Sequence, residues 1–380
     1  MLHVFSGIIL LFLVLRFVVP LKTTFRWKVI VTLLLLIMSQ QHLVNRTIFG
    51  TLASPEMPAG VLAFQGWMLS SFLLLAVFAL LRDISALLLR LSSTTYFRRN
   101  PVSASRPVAL GLFSAALALS AVLSAVGVWQ AIRVPDVRTV EISLRNLPPE
   151  LHGFRIVQIS DLHANRLLPR GWVKAVVEKA NALEPDLILL TGDTIDGSTD
   201  KRRNDVAPLK DLQARHGIFA VPGNHEYISG YNDWLNAFQA LGLRMLQNEH
   251  VVIMHYNVPL VVAGTTDRRA VTFGLPGPDI QTALDEAPEN AVKILMAHQP
   301  GNAREAAAAG IDLQLSGHTH GGQILGLRII SQYANKGFIS GLYDVNGMAL
   351  YVSNGAGLWN GFPVRLGCPP EITEILLRPV

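Results

Sequence analysis

Cysteine and charged residues are scarce in this sequence of 380 residues. Its one cysteine, Cys368, has no partner for an internal disulfide and no other thiol with which to hold a structural metal ion. Charged residues make up 16% of the chain and apolar residues 50%, whereas a soluble domain carries about 25% charged residues. This composition excludes a disulfide-stabilised scaffold and a disordered chain, and it argues against a fully soluble protein.

Acidic residues are nearly absent from the first third of the chain. Residues 1–132 hold ten Lys and Arg residues against two acids, Glu56 and Asp83, and the remainder holds 22 basic and 25 acidic residues. The net charge of +5 therefore comes from the N-terminal part, where basic residues flank apolar runs. That pattern predicts membrane topology, and we expect no nucleic-acid partner.

Four apolar runs lie in this part of the chain. Residues 61–81 and 107–132 are long enough to cross a bilayer as helices, which takes about 20 residues. Residues 4–19 form a shorter run that contains Arg16, and residues 29–44 are interrupted by polar residues at 39–42. We predict about four membrane spans, with an interfacial or buried helix as the alternative for the two weaker runs.

The arginines between the third and fourth runs predict the orientation. This segment carries five arginines against one acid, Asp83; they are Arg82, Arg90, Arg98, Arg99 and Arg106. Positive residues favour the cytoplasmic side. Residues 1–132 are therefore predicted to form a helical transmembrane region of the cell (inner) membrane. Residues 133–380 would lie on the extracytoplasmic side, which is the periplasm in a Gram-negative bacterium.

From about residue 137 the pattern changes to short β-rich runs that alternate with helical stretches. The runs cover residues 155–160, 186–191, 217–222, 258–264, 292–297 and 312–316. Helical patterns cover residues 171–183 and 232–241, and this alternation predicts an α/β domain. Three further strands are expected at 337–342, 348–353 and 371–377, with Asn346-Gly347 as a hairpin turn.

Polar side chains follow five of these runs. They are Asp161 and His163; Asp193 and Asp196; Asn224, His225 and Glu226; His298; and His318 with His320. Ligands bind beyond the carboxyl ends of strands in α/β sheets, so these residues are expected to converge. Each cluster alone is compatible with a turn, a helix cap or a buried histidine, but the ordered set favours a metal centre.

The chemistry of these side chains suits a pair of divalent ions. Carboxylates and imidazoles without thiolates suit Mn, Fe or Zn. Two neighbouring ions need one ligand that reaches both, and a carboxylate has two oxygens with which to do so. Glycines precede Asp193, Asn224 and His318, and we expect them to permit sharp turns and a close approach of the backbone.

The order D-x-H, G-D-x-x-D, G-N-H-E, an isolated His and G-H-T-H resembles the calcineurin-like metallophosphoesterases. The resemblance covers about residues 137–380. The segment 364–372 is similar to the bacterial membrane-associated branch that includes YkuE and YaeI. The family implies two packed mixed sheets flanked by helices, with a site for two metal ions.

The resemblance also implies roles for single residues. One ion would be held by Asp161, His163 and His320 together with Asp193. The second would be held by Asn224, His298 and His318, with Asp193 bridging the two ions. His225 would be the catalytic residue, which would protonate the leaving oxygen or stabilise the transition state. Asp196 would support the site, and Glu226 would orient the His225 imidazole.

These assignments predict a membrane-anchored metal-dependent phosphoesterase, with a phosphodiesterase favoured. A hydroxide that bridges the two metals would attack phosphorus. A tethered domain suggests a lipid-linked or envelope phosphate ester. Leu358, Trp359 and Phe362 would form an apolar lip, for which ordinary packing of the last strands is the alternative explanation.

Another class of function remains open at this point. The chain would then be a membrane sensor or transport component that binds metal or phosphate without turnover, with the polar residues 39–42 lining a path. The sequence leaves both phosphate monoesters and diesters open as substrates, and Mn, Fe and Zn open as metals.

Overall fold

The computed structural model describes residues 2–51, 54–92, 106–324, 326 and 328–380. This part of the chain divides into two compact units. The first contains Met1–Trp129 together with Asn360–Val364, and the second contains Gln130–Trp359 together with Arg365–Val380.

The first unit is helical, as its apolar runs require, because a helix satisfies its backbone hydrogen bonds internally. Its helices are α1 (Leu2–Leu13, continued by a π-helical turn at Val14–Val18), α2 (Phe25–Phe49), α3 (Ala59–Ser92) and α4 (Arg106–Ile132). Among the described residues, three helical stretches are long and apolar enough to cross a bilayer: Phe25–Phe49, Ala59–Leu88 and Ser114–Ile132. Helix α1 is shorter. Arg98 and Arg99 of the orientation prediction lie outside the described residues.

Polar side chains of α2 are packed inside the first unit. Ser39, Gln41 and His42 are all buried. Gln41 donates a hydrogen bond to the carbonyl of Gln65 on α3, over 2.7 Å. Polar residues in a membrane helix are tolerated where a neighbouring helix supplies hydrogen-bond partners. The second apolar run is the weakest candidate for a membrane span in the sequence because polar residues interrupt it. With these residues packed against a neighbouring helix, it forms a continuous helix of 25 residues.

The second unit contains two mixed six-stranded sheets. In the first, the strand order is β1-β12-β2-β3-β4-β5, and β2 to β5 run parallel. Its strands are β1 (Asp136–Leu144), β2 (Arg155–Ile159), β3 (Leu187–Thr191), β4 (Ile218–Val221), β5 (Arg244–Met245) and β12 (Glu371–Pro379). In the second, the order is β10-β11-β9-β8-β7-β6, with β11, β9, β8 and β7 parallel. Its strands are β6 (Glu249–His255), β7 (Val258–Gly264), β8 (Val292–Met296), β9 (Leu313–Ser316), β10 (Gly341–Val345) and β11 (Met348–Val352).

Helices connect the strands of both sheets. They are α5 (Arg170–Asn181), α6 (Thr199–Val206), α7 (Asn224–Ile228), α8 (Tyr231–Ala240), α9 (Ile280–Ala283), α10 (Ala303–Ala308) and α11 (Arg328–Ala334). Short 3₁₀ helices cover Pro149–Leu151, Ala207–Asp211, Arg268–Phe273, Pro300–Asn302 and His320–Gly322. In α5, Trp172, Val176 and Ala180 recur every four residues and are buried, which is the spacing of an apolar helix face.

Apolar side chains fill the space between the two sheets. Ile156 and Leu189 of the first sheet and Ile294 and Leu315 of the second are fully buried in one cluster. The predicted α/β class with two packed mixed sheets after N-terminal apolar helices is therefore confirmed. It sets the carboxyl ends of parallel strands from both sheets at one edge, where the candidate site lies.

Two details of the strand prediction are wrong or incomplete. The strand expected at 337–342 begins only at Gly341, because residues before it form a turn. The Asn346-Gly347 hairpin is confirmed: both residues have positive φ, 54° and 91°, and Val345 pairs with Met348 across the turn. The edge strands β1, β5 and β6 are not among the predicted strands.

Candidate metal centre

The predicted site residues follow the carboxyl ends of five strands. Asp161, Asp193 and Asn224 come after β2, β3 and β4 in the first sheet, and His298 and His318 come after β8 and β9 in the second. The structure therefore draws the site from both sheets, as expected for ligands beyond the ends of parallel strands.

Five of the predicted site residues have left-handed backbone conformations. The φ values are 51° for Asp161, 46° for His163, 51° for Asp193, 70° for His318 and 49° for His320. Residues other than glycine rarely adopt this region, and the strain persists only where surrounding structure imposes it. The concentration of such residues at one edge marks it as a functional site.

Two glycines allow the strand ends to approach each other. Gly192 has φ +88°, and a Cβ atom there would lie 2.7 Å from the Gly223 backbone nitrogen and 2.7 Å from Nδ1 of His298. A Cβ atom on Gly223 would clash with the Asp193 carboxylate. The prediction that glycines permit a close approach is therefore confirmed at these two positions.

The first group of candidate ligands consists of Asp161, His163 and His320, all buried. Asp161 Oδ1 lies 3.9 Å from Nε2 of His163 and 3.6 Å from Nε2 of His320. The backbone N–H of His318 and the Ser160 hydroxyl both donate to the Asp161 carboxylate. These hydrogen bonds fix the carboxylate so that it faces both imidazoles.

The second group consists of Asp193, His298 and His318, with Asn224 beside them. Asp193 Oδ2 lies 3.2 Å from Nε2 of His298, and the Asn224 Oδ1 lies 3.2 Å from that same nitrogen. The other ring nitrogen of His298 is 2.8 Å from the carbonyl oxygen of Thr191. That contact places a proton on Nδ1, so Nε2 is the ring nitrogen that faces the site.

Asp193 lies between the two groups. Its Oδ2 is 3.8 Å from Nε2 of His163 in the first group as well as 3.2 Å from His298 in the second. Its other oxygen accepts a hydrogen bond from the backbone N–H of His225. This is the position that a carboxylate shared by two ions needs.

The donor set fits divalent ions. Nε2 of His163 is buried and has no hydrogen-bond partner among the described residues, although it faces two carboxylate oxygens at 3.8 and 3.9 Å. An unpartnered buried nitrogen is costly, and a cation between it and the carboxylates would remove that cost. Together with the carboxylates and an amide oxygen, the imidazoles suit Mn, Fe or Zn.

The charges on the site imidazoles differ. Burial opposes a charge on His298, but Asp193 outweighs burial and raises the pKa of His298 well above its usual value. Burial acts to raise the pKa of Asp193, but the imidazoles of His298 and His225 outweigh it and hold this pKa well below its usual range. Burial, followed by the neighbouring His163 and Arg365, lowers the pKa of His320 well below its usual value. Burial and His298 lower the pKa of His318 to about 3. Ionised carboxylates and neutral imidazoles are the forms that bind metal, so Asp193, His318 and His320 have the required charge, whereas His298 would lose a proton on binding an ion.

The predicted catalytic residue, His225, lies beside this centre. Its side chain is 13% exposed, and its Nε2 is 3.9 Å from Asp193 Oδ2. Its Nδ1 lies 2.5 Å from Oδ1 of Asp196. Burial opposes the charged imidazole, but Asp193 and Asp196 outweigh burial and raise the pKa of His225 to about 9.

Glu226 contacts backbone groups and not the His225 imidazole that it was predicted to orient. Its carboxylate accepts hydrogen bonds from the backbone N–H groups of Gly223, Asp193 and Thr194, over 2.6 to 3.1 Å. The prediction that Glu226 orients His225 is therefore wrong, because Asp196 contacts that imidazole. Glu226 instead joins the loops that follow β3 and β4.

Arg365 was not predicted as a site residue. It is fully buried, and its guanidinium lies 3.2 Å from Nδ1 of His320 and donates to the carbonyls of Asn354 and Gly357. It thereby fixes the ring of a candidate ligand. The only signal in the sequence was the similarity of segment 364–372 to one branch of the family.

The three residues of the predicted apolar lip lie in different surroundings. Leu358 is buried, and the Trp359 ring lies 6.5 Å from the His225 ring. Phe362 packs in the apolar cluster of the first unit, with residues such as Phe72. Trp359 alone of the three borders the candidate catalytic histidine.

Comparison with known proteins identifies the family. The model of the calcineurin-like phosphoesterase family matches residues 154–322. A transmembrane protein with a metallophosphoesterase domain from Bos taurus is 36% identical over 275 residues, which are 69% of this chain and 62% of that protein. A metallophosphoesterase of Helicobacter pylori is 36% identical over 255 residues, 67% of this chain and 66% of that protein.

A further relative is covered over most of its length. The Bacillus subtilis metallophosphoesterase YkuE is 32% identical over 248 residues, which are 63% of this chain and 84% of YkuE. By contrast, the chain spans just under two thirds of the Bos taurus and Helicobacter pylori relatives. The resemblance drawn from the sequence motifs is confirmed, and the chain belongs to the calcineurin-like metallophosphoesterase family.

Proposed function

We propose that this protein is a membrane-anchored phosphoesterase that hydrolyses phosphate esters with the help of two divalent metal ions, with diesters favoured. One observation carries the proposal: a single carboxylate oxygen, Asp193 Oδ2, faces imidazoles of both ligand groups. A site for one ion needs no such shared oxygen.

The chain's own residues divide the work as follows. Asp161, His163 and His320 would hold one ion, and Asn224, His298 and His318 would hold the other, with Asp193 shared. When bound, the ions would activate water for attack and offset charge on the phosphoryl oxygens.

His225 would donate the proton that the leaving oxygen needs as the phosphorus–oxygen bond breaks. Its Nδ1 is held by Asp196, so Nε2 is the nitrogen directed at the centre. Asp193 and Asp196 raise the pKa of His225, and Asp196, which would bind no ion, favours the protonated form that a general acid requires.

The helices of the first unit support an anchor in the cell membrane. Helix α4 ends at Ile132 and β1 begins at Asp136, so the connection between anchor and catalytic unit is short. We propose a lipid-linked or envelope phosphate ester as substrate, with the catalytic unit on the extracytoplasmic side. Trp359, beside His225, would contact the apolar part of such a substrate.

The orientation has a direct test. A Glu150→Cys variant places a thiol at an exposed position of the second unit, while the natural Cys368 is buried. In intact spheroplasts, a membrane-impermeant maleimide should label this variant and leave the unsubstituted protein unlabelled. Labelling only after permeabilisation would place the catalytic unit in the cytoplasm instead.

The activity is tested with the full chain in lipid nanodiscs. The substrates are bis(p-nitrophenyl) phosphate and p-nitrophenyl phosphate, given to protein stripped of metal and then supplied with Mn, Fe or Zn. Added metal should restore turnover, and Asp193→Asn should abolish it. Asp200→Asn, an exposed acid on α6, is the matched control and should keep full activity.

Two results would overturn this proposal. Metal-responsive turnover by Asp193→Asn would show that the chemistry lies elsewhere. Folded, metal-loaded protein that hydrolyses neither ester nor any lipid phosphate would favour a binding-only sensor or transport component. The polar residues of α2 give that alternative little support, because the cavity beside Gln41 and His42 has a volume of about 20 Å³, room for about one water molecule.

A further inference from the structure

A cavity of about 470 Å³ opens directly beside the candidate metal centre. It is lined by Asn224, Ile228, Arg268, Arg269, Thr272, Gln299 and His318. Two of these residues, Asn224 and His318, are candidate metal ligands. A group bound in this cavity would therefore be continuous with the phosphoryl group at the centre. The volume is in the range of sites for small organic ligands.

Two arginines form one side of this cavity. Arg268 and Arg269 begin the 3₁₀ helix Arg268–Phe273, and both are exposed. Within the described part of the chain, no carboxylate lies within 4.0 Å of either guanidinium. The Arg269 guanidinium lies 5.7 Å from the centre of the Phe273 ring, a contact that leaves its hydrogen-bond donors available.

The nearest acid in the sequence does not neutralise these arginines. Asp267 is 3% exposed. Its carboxylate accepts hydrogen bonds from the backbone N–H of Arg269, over 2.7 Å, and from the Gln299 side chain, over 2.8 Å. Asp267 thus caps the 3₁₀ helix from within, while the two guanidinium groups stay on the solvent side.

The loop that carries the arginines is braced at both ends. Asn248 Oδ1 accepts hydrogen bonds from the backbone N–H groups of Thr266 and Asp279, each over 3.1 Å. The Asn248 side chain also donates to the carbonyl of Gly277 over 2.9 Å. Phe273 packs 6.2 Å from the Tyr227 ring of α7, the helix that begins at Asn224. A loop held in place binds a ligand with little loss of conformational entropy.

We propose that this cavity binds a second phosphoryl group of the substrate, with Arg268 and Arg269 as its ligands. The inference rests on the proposed function, since it assumes that the reacting phosphoryl group lies at the metal centre. Guanidinium groups pair with phosphate oxygens through two parallel hydrogen bonds. The ester of a neutral alcohol would leave both arginines without an anion, whereas an organic diphosphate fills both positions.

The choice of substrates distinguishes a soluble diphosphate from a lipid diphosphate. The full chain in nanodiscs is given adenosine monophosphate or diphosphate in one arm, and farnesyl monophosphate or diphosphate in the other. The measured quantity is kcat/KM for phosphate release, in which water breaks the ester bond of a monophosphate or the terminal P–O–P bond of a diphosphate, leaving the alcohol or the monophosphate. In at least one arm the diphosphate should be preferred, by about tenfold or more, as expected for charged hydrogen bonds.

The double variant Arg268→Gln/Arg269→Gln should lower kcat/KM for the preferred diphosphate by about tenfold or more. Its kcat/KM for the matching monophosphate should change little. Arg203→Gln/Arg304→Gln is the matched control, because it removes the same charge from two other exposed arginines. The control should behave like the unsubstituted protein with all four substrates.

A binding measurement accompanies the kinetics. In excess metal, imidodiphosphate should raise the unfolding temperature of the unsubstituted protein and of the control more than inorganic phosphate does. The Arg268/Arg269 double variant should lose this difference. Because binding is read without turnover, this measurement decides the proposal even if none of the four compounds is hydrolysed.

Other outcomes would overturn the proposal. Equal losses for monophosphate and diphosphate in the Arg268/Arg269 variant would show a general effect of charge. An active enzyme that prefers monophosphates in both arms would refute the second phosphoryl site alone. Protein that hydrolyses no ester at all would refute the proposed function, while imidodiphosphate binding would still test the two arginines.

Discussion

Asp196 Oδ1 lies 2.5 Å from Nδ1 of His225. The same oxygen lies 3.1 Å from Nδ1 of His163. One buried carboxylate thus orients a candidate catalytic residue and a candidate metal ligand. The charge on Asp196 is retained because His163 and His225 outweigh burial and hold its pKa well below its usual range. In the proposed function, metal binding and proton transfer would therefore be coupled through this side chain.

These two contacts of Asp196 predict that Asp196→Asn lowers both metal affinity and kcat. The amide lacks the negative charge that fixes the proton on both Nδ1 atoms. Metal affinity and kcat should each fall by about 10- to 100-fold, the usual cost of losing a carboxylate behind a ligating histidine. Metal content by mass spectrometry and kcat for bis(p-nitrophenyl) phosphate would measure the two effects. Asp200→Asn serves as control, and a variant with unchanged metal affinity would contradict the role assigned through His163.

His225→Asn should distinguish proton donation from a structural role. A general acid matters most when the leaving oxygen is strongly basic, and its loss then costs about 10²- to 10⁴-fold. We expect kcat to fall much more for an alkyl phosphate ester than for the corresponding p-nitrophenyl ester, whose leaving group needs little protonation. The measurement is the slope of log kcat against leaving-group pKa for the variant and the unsubstituted protein. Parallel slopes would argue against proton donation.

The fold class and the position of the site could be predicted because their signals are local. The parallel strands are short continuous apolar runs; β3, for example, is buried along its whole length. Five of them are followed by the Asp, His or Asn that the chemistry needs. By contrast, β1 and β6 are partly exposed, and exposed positions interrupt the buried ones along both strands. They become strands by pairing, β1 with the distant β12 and β6 with the adjacent β7, and a single sequence does not show either pairing.

The supporting contacts of the site could not be predicted for a related reason. Arg365 contacts His320, which lies 45 positions earlier in the chain, and no local pattern predicts that contact. Arg268 and Arg269 could not be predicted as binding residues either, because two adjacent arginines in a loop form no recognisable sequence motif. Glu226 was assigned to its sequence neighbour His225, whereas its carboxylate reaches the loop at Asp193 and Thr194. Proximity along the chain was a poor guide to contact in the folded site.

Gly192→Ala should destabilise the second unit. The added Cβ would meet the backbone of Gly223 at 2.7 to 2.8 Å, and the φ of +88° is itself strained for alanine. Together these effects should reduce the free energy of unfolding by about 2–4 kcal/mol. Gly171→Ala on α5 is the control, because nothing lies within 4 Å of its added Cβ. Urea unfolding would measure the free energy of unfolding of both variants. Equal values for Gly192→Ala and Gly171→Ala would contradict the tight contact between the two loops.

A second, separate set of titratable groups predicts a pH dependence of stability. His216 Nε2 lies 2.9 Å from Nδ1 of His255. Burial, then the His255 and Arg215 charges, lower the pKa of His216, and Asp186 only partly opposes them. The unfolded chain therefore takes up a proton on this imidazole at a higher pH than the folded chain does. Stability is retained above the ordinary histidine pKa of 6.5 and is lost as the pH falls from there through the folded-state value.

His216→Gln should weaken this dependence. Between about pH 7.5 and about pH 5.5, the unfolding temperature should fall less in the variant than in the unsubstituted protein. The metal ligands titrate in both proteins, so the difference between the two pH effects isolates His216. His152→Gln, at an exposed position, is the matched control and should leave the pH effect unchanged. An equal or steeper fall in His216→Gln would show that the His216 imidazole is protonated as readily in the folded chain as in the unfolded one.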